Sequence, residues 1–390
     1  MPDAVIVAAC RTAIGTARKG TLVDTSAFDL ADVIVGEVVR RSGIEPAEFD
    51  DIVLAESLSG GGDIARHSAL TAGFTGIPGL ALNRHCASGL AAVQTAAANV
   101  RAGMMKAVVA GGVQSTSTSP VSRWRRPGTD DWDEMWLSPS HPDQPDAPVF
   151  DMSITVGWNS AVAAGVSREE MDAWALGSHR KAIAAIDADR FAEEIVPVKV
   201  AGRDGSSILF EVDEHPRRDT SMERLAALKP LHPEIEGFSI TAGNSSGIND
   251  GAAALVVAAD DVARRRQLPV LATVRSWASV GVDPADTGLA PVTAIPKALA
   301  LAGVGIDDVA LWEINEAFAS MCVATTRILG IDPALVNPSG SGCSLGHPIA
   351  ATGARMLTTL AYELRRRGGG IGVAAMCAGG GMGSATVIEV

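Results

Sequence analysis

Asp50-Asp51-Ile52-Val53-Leu54-Ala55-Glu56 has a counterpart in Asp307-Asp308-Val309-Ala310-Leu311-Trp312-Glu313: two acidic residues, a short apolar run, then a glutamate. Each run reads as a strand buried on both faces. Each follows a helix-like stretch and precedes a loop of small residues. Working outward, the turn around Cys86 leads into an Ala-rich helical pattern at 90–101, and the turn around His347 into another at 350–366. Each helix then leads to a strand ending in glycines, Gly111-Gly112 in the first half and Gly379-Gly380-Gly381 in the second. This single repetition predicts two similar α/β halves packed as pseudo-twofold partners, each giving one turn to a shared site. The alternative is that α/β units resemble one another by composition alone.

Apolar runs at 4–9, 107–110, 253–259 and 371–376 extend the pattern, bounded by Gly, Asp or Pro. Strand alternating with helix predicts a layered α/β fold with largely parallel sheets. The first half spans 1–117 and is completed by about 240–265; the second spans 266–390. Between them, at 118–239, the texture changes. Arg123-Trp124-Arg125-Arg126-Pro127-Gly128 and the stretch 132–148 are rich in Trp, Pro and charge. Such a loop-rich insertion reads as a lid, a substrate-binding element or an oligomer contact.

The chain has 390 residues, more than one ordinary core needs, and 47% of them are apolar. A net charge of −13 argues against general affinity for nucleic acid or an anionic membrane. An anionic substrate then needs its own local cluster of Arg and Lys. The 5 cysteines are odd in number and lack zinc-site spacing. Reduced thiols in a cytosol are the better reading. Residues 1–7 lack the basic region and apolar core of a signal peptide, and no apolar run approaches the roughly 20 residues of a membrane span. The expectation is a soluble cytoplasmic protein.

Four places carry chemistry. In Asn83-Arg84-His85-Cys86-Ala87-Ser88-Gly89-Leu90, a buried strand should precede Cys86 and a helix follows it. Free N–H groups at a helix start lower a thiol pKa and can hold an oxyanion beside the sulfur; a space-filling cysteine is the plainer alternative. In Gly346-His347-Pro348, the proline suits a first helical turn. There the imidazole stays neutral and able to accept a proton from a cysteine, unless it merely caps the helix. Cys377 precedes the loop Gly379-Gly380-Gly381, whose free N–H groups suit an anion. A dinucleotide loop fits poorly, because 384–390 reads as a terminal strand and no helix follows. In Glu313-Ile314-Asn315-Glu316, the Asn315 amide can fix a water or polarise a carbonyl, and Glu316 can orient a neighbour.

In this order the four motifs resemble the thiolase family, end to end. The opening Val5-Ile6-Val7-Ala8-Ala9-Cys10-Arg11-Thr12-Ala13-Ile14-Gly15 and the stretch Thr241-Ala242-Gly243-Asn244-Ser245-Ser246-Gly247-Ile248-Asn249-Asp250-Gly251 are similar to thiolases too. The resemblance implies a thiolase-like α/β fold and reversible Claisen chemistry on acyl-CoA and CoA, with no metal or redox cofactor. It implies that Cys86 takes the acyl group, that His347 removes its proton, and that Cys377 serves the substrate's α-carbon. One oxyanion hole would use His347 and a water held by Asn315; the other would use the N–H groups of Cys86 and Gly379. By the same resemblance Ser246 contacts pantetheine, Arg217 and Arg224 lie near the nucleotide end, and Met152 and Phe318 line the acyl pocket. A homodimer or homotetramer is expected.

Met152-Ser153-Ile154-Thr155-Val156-Gly157-Trp158-Asn159 departs from the family's Met-Gly-x-Thr-Ala-Glu, and 123–148 is unusually rich in Trp. Both bear on acyl preference and assembly. A related 3-ketoacyl synthase would pair Cys with His-His or His-Asn, and Cys377 argues against it. A hydroxymethylglutaryl-CoA synthase would need Glu in place of this second cysteine. The remaining alternative is a non-catalytic CoA-binding scaffold on the same fold.

Overall fold

The computed structural model describes residues 2–57, 62–202 and 205–390. Part of the small-residue loop expected after Glu56 lies outside them. Nine main strands are β1 (Ala4–Thr12), β2 (Asp51–Glu56), β3 (Gly79–Leu82), β4 (Ala107–Gln114), β5 (Asn249–Ala259), β6 (Ala272–Gly281), β7 (Val309–Ile314), β8 (Ile371–Ala378) and β9 (Met382–Glu389). The longer helices are α1 (Ala27–Ser42), α2 (Ile64–Thr71), α3 (Ser88–Arg101), α4 (Arg168–Asp187), α5 (Ala290–Ala302), α6 (Ala319–Leu329) and α7 (Thr352–Arg366).

The strands hydrogen-bond in the order β7-β8-β9-β6-β1-β5-β4-β2-β3. Reading outward from the centre, β1-β5-β4-β2 and β6-β9-β8-β7 carry the same sequence of pairings: antiparallel, antiparallel, parallel. The halves meet where β1 pairs with β6 through Val5↔Thr273 and Ile6↔Ala272. This is the pseudo-twofold that the repeat predicts. The expectation of largely parallel sheets is corrected. The last strand of each half returns beside its neighbour, and β9 follows β8 through a three-residue glycine turn, a connection that only antiparallel strands can use.

Side chains alternate across each strand, and the alternation separates three cores. In β5, Ala252, Ala254, Val256 and Ala258 face a core shared with α1 and α2. Ala253, Leu255 and Val257 face a middle core shared with α3 and α7. In β8, Ala374, Met376 and Ala378 reach that middle core, while Val373, Ala375 and Cys377 face a third core with α5 and α6. Helices α3 and α7 therefore run between the two half-sheets. They approach through Gly89 and Gly353, each the second residue of its helix. A Cβ on Gly89 would lie 2.7 Å from the Ala354 nitrogen, and one on Gly353 would lie 2.3 Å from that of Leu90. Only glycine permits this approach. It sets the Cys86 turn and the His347 turn, which precede these helices, side by side.

Two local expectations change. Strand β3, expected to be buried, is partly exposed because it forms the outer edge of the sheet. Gly111 and Gly112 lie inside β4, which runs on to Gln114, rather than at its end. Residues 118–239 hold an exposed hairpin, Ser122–Arg125 with Trp132–Trp136, in which Trp124 stacks on Trp136 at 4.6 Å. They also hold α4, a 20-residue helix begun by a capping box of Ser167 and Glu170. The sequence reading, drawn to the Trp- and Pro-rich stretch nearby, did not single it out. Buried Arg11 ties this region to β1, bonding Glu194 at 2.6 Å and Asp213 at 2.8 and 2.9 Å. Among the described residues no helix is long and apolar enough to cross a membrane. Among them no three His, Cys, Asp or Glu side chains gather as a metal site.

Candidate active site

Cys86 precedes α3 in a tight turn built by Ser88, whose hydroxyl accepts from the Arg84 N–H at 2.7 Å and donates to the His85 carbonyl at 2.6 Å. His85 takes a left-handed φ of 47°, and the Asn83 side chain accepts its N–H at 2.8 Å. Such a non-glycine conformation costs about 1–3 kcal/mol and persists where the surroundings enforce it. It leaves Cys86 half-buried, where the other four cysteines are buried. The sequence reading of a lowered pKa is corrected here. Burial pushes the Cys86 thiol above its ordinary value, and the N–H groups of Gly379 and of Cys86 itself offset this only in part. The two N–H groups expected to hold an oxyanion thus both meet this sulfur.

His347 lies before α7, 7% exposed. Its backbone N–H donates to Asn249 Oδ1 at 3.0 Å, Nδ1 lies 2.6 Å from Thr352 Oγ1, and Nε2 accepts from Asn315 Nδ2 at 3.4 Å. Burial first, and then the charge of Arg355, lower its pKa to about 3. The imidazole is neutral, as its sequence context implies.

Cys377, 2% exposed, is the last residue but one of β8 and contacts Met321 Sδ at 3.6 Å. Burial and then the charge of Cys86 raise its pKa, which brings the two sulfurs into one electrostatic unit. Gly380 and Gly381 take φ of 82° and 69°, and the turn leaves the Gly379 N–H aimed at Cys86.

Asn315 is fully buried, and its Oδ1 has no hydrogen-bond partner among the described residues. A carboxamide oxygen in that position suits a held water. Glu316 does not face the reaction site. It accepts from Trp174 at 3.0 Å, Asn337 at 2.9 Å, Ser178 at 2.6 Å and the Cys343 N–H at 3.1 Å. It binds α4 to the small-residue loop that delivers His347. The sequence reading missed Thr352 and the role of Asn249, although both stand in stretches it quoted. Their only signal is a hydrogen-bonding side chain amid small residues.

The chain matches the model of the thiolase N-terminal domain over residues 4–261 and that of the thiolase C-terminal domain over residues 268–390. The chain belongs to the thiolase family. An acetyl-CoA acetyltransferase of Pseudomonas aeruginosa is 40% identical over 401 residues, covering 100% of this chain and 99% of its own. A peroxisomal 3-ketoacyl-CoA thiolase 2 of Arabidopsis thaliana is 39% identical, covering 99% of this chain and 84% of its own. The crystal structure of the Bacillus anthracis acetyl-CoA acetyltransferase superposes with a TM-score of 0.91 at 38% identity, covering 100% of this chain and 99% of that one.

The remaining residues expected of a thiolase fall into two groups. The loop Ser245–Ile248 crosses the site: Ser245 bridges to Phe318, Ile248 bridges to His347, and the Ser246 N–H donates to Ala317 at 2.8 Å. Ser246 therefore lies on the loop between Phe318 and His347. Met152, just before the π-helix Ser153–Trp158, and Phe318 pack against the same core. The two arginines stand farther out. A Cβ on Gly247 would lie 2.5 Å from His215, and one on Gly243 would lie 2.6 Å from Leu225, so the segments carrying Arg217 and Arg224 pack on this loop. Arg217 is exposed, while Arg224 is engaged by Asp219.

Proposed function

We propose that this chain is a thiolase working through Cys86, joining or splitting acyl-CoA thioesters by a ping-pong route. The observation that carries the reading is that Cys86 meets the Gly379 N–H and the charge of Cys377, at a turn that Gly89 and Gly353 set beside the turn of a neutral His347.

In the first half-reaction Cys86 Sγ attacks the thioester carbonyl as its proton passes to Nε2 of His347. The Cys86 and Gly379 N–H groups stabilise the oxyanion. The C–S bond to CoA breaks and CoA leaves, taking the proton. In the second, Cys377, once its own proton has passed to water, acts as the thiolate that removes an α-proton from another acyl-CoA. The enolate oxygen is held by a water on Asn315, and by His347 when its Nε2 carries a proton. The enolate carbon attacks the acyl-cysteine, the C–S bond to Cys86 breaks, and the Cys86 sulfur takes the proton held by Cys377. Thiolysis is the reverse.

The CoA arm runs over residues 118–239 and past Ser246, with Arg217 toward the phosphates; Arg224 must first give up Asp219. The free thiols suit the cytoplasm, and the exposed hairpin and edge strand β3 favour a homodimer or homotetramer. Incubation with radiolabelled acetyl-CoA should leave acetyl on Cys86, most readily trapped in Cys377→Ala. Label found only on another residue in wild-type protein would overturn the assignment.

A further inference from the structure

Behind His347 lies an ion pair that the mechanism above does not use. Arg355 and Glu313 are 1% and 0% exposed. Arg355 Nη1 donates to Glu313 Oε2 at 2.9 Å, and Nη2 donates to Ser341 Oγ at 2.9 Å. The pair is imperfectly satisfied, since Glu313 Oε1 and Arg355 Nε find no partner among the described residues. Burying two charges costs several kcal/mol per ion, so such a pair is a poor device for stability alone. Its position suggests another use.

Arg355 stands three residues after Thr352, on the same face of α7, and Thr352 holds Nδ1 of His347. Glu313 stands two residues before Asn315, on the same side of the chain, and Asn315 donates to Nε2 of His347. Ser341 opens the loop that delivers His347, its carbonyl accepting from Ser344 at 3.1 Å and Leu345 at 2.6 Å. One guanidinium thus ties together the three segments that hold the imidazole. Arg355 is also the charged group acting on His347, while Glu313 is faced by Arg355, Glu316 and Glu194.

We propose that Arg355, anchored by Glu313 and Ser341, is a positioning residue for the proton transfer between Cys86 and His347. The inference rests on the reading of Cys86 as the nucleophile. Arg355 fixes the imidazole through α7, and its cation opposes an imidazolium. The proton taken from Cys86 is handed on to the leaving CoA rather than retained.

The test compares Glu313→Met/Arg355→Met, Arg355→Met and Arg355→Lys in the full chain, with Cys86→Ala as control. The double variant replaces an ion pair by apolar groups of similar size, an exchange that folds commonly tolerate. Isotope exchange between acetyl-CoA and CoA is measured in brief assays across about pH 3 to 9, a window that includes the acid limb of His347, beside thermal unfolding at each pH. The double variant should stay folded and lose about tenfold or more in kcat with little change in KM. Its acid limb should move to higher pH, because His347 without the cation protonates more readily. Arg355→Lys should keep the limb near its wild-type place. If the double variant does not fold, Arg355→Met is read in the same way. Burial already pushes Glu313 up to about 7, so it turns neutral once the cation is gone. A folded variant with wild-type kcat, or one with lower kcat and an unmoved acid limb, overturns the proposal. Exchange surviving in Cys86→Ala would instead overturn the nucleophile assignment beneath it.

Discussion

The Thr352 hydroxyl lies 2.6 Å from Nδ1 of His347 and donates its own hydrogen to the Pro348 carbonyl at 2.8 Å. A hydroxyl has one hydrogen, so toward the imidazole Thr352 can only accept. Nδ1 therefore carries the ring N–H, and the Nε2 lone pair, which meets Asn315 Nδ2 at 3.4 Å in the resting site, is the one that takes the proton of Cys86. Thr352→Val keeps the shape and removes the acceptor. An unpaired buried N–H costs about 1–3 kcal/mol, so acyl exchange should fall by about 10–100-fold, with Thr352→Ser recovering most of it. Equal activity in Thr352→Val would leave the tautomer unassigned by this contact.

Cys86 should be the residue that iodoacetamide alkylates, because the other four thiols are buried. Its thiol is raised above the ordinary 9.0, so the thiolate is a minor species at neutral pH. The alkylation rate should climb about tenfold per pH unit through neutrality, without a plateau below about pH 9. Acylation by acetyl-CoA should instead remain fast at neutral pH, since His347 takes the proton during attack. A plateau in alkylation near pH 7, read by mass spectrometry over time, would show a resting thiolate and contradict this picture.

Cys86 and Cys377 should separate by reaction. Exchange of acetyl between CoA molecules breaks no carbon–carbon bond and needs Cys86 alone. Cys377→Ser should retain much of it while losing thiolysis by about 10²–10⁴-fold, the usual contribution of a general base. Cys86→Ala should lose both. Parallel loss of both activities in a folded Cys377→Ser protein would refute the division.

Three histidines make the fold sensitive to acid. Burial lowers His347 to about 3, and His179 and His215 each to about 4, from an ordinary 6.5. Between these values and 6.5 the unfolded chain binds more protons than the native one, so their contribution to stability is complete above 6.5 and falls with pH. Thermal unfolding should show a Tm that drops between about pH 6.5 and 4. His179→Asn or His215→Asn should flatten that slope relative to wild type. An unchanged slope in both would mean that neither histidine is buried neutral.

Much of this protein was legible as sequence because its signals are local. The repeated acidic–apolar–glutamate run fixed two α/β halves. Small residues before an Ala-rich helix marked the turns of Cys86 and His347, and a strand running into glycines marked Cys377. Strand patterning and turn chemistry depend on neighbours a few residues away. Other properties arise only when distant segments meet. Pairing direction depended on where β5 and β9 return to the sheet. The approach of α3 and α7 through Gly89 and Gly353 set the two turns side by side. The sign of the Cys86 shift was decided there too: its helix start suggested a lowered pKa, and burial raised it. Desolvation sums over every atom that replaces water around a group, and most of those atoms lie far along the chain. For the same reason, the tautomer of His347 and the Glu313–Arg355 pair behind it belong to the tertiary structure alone.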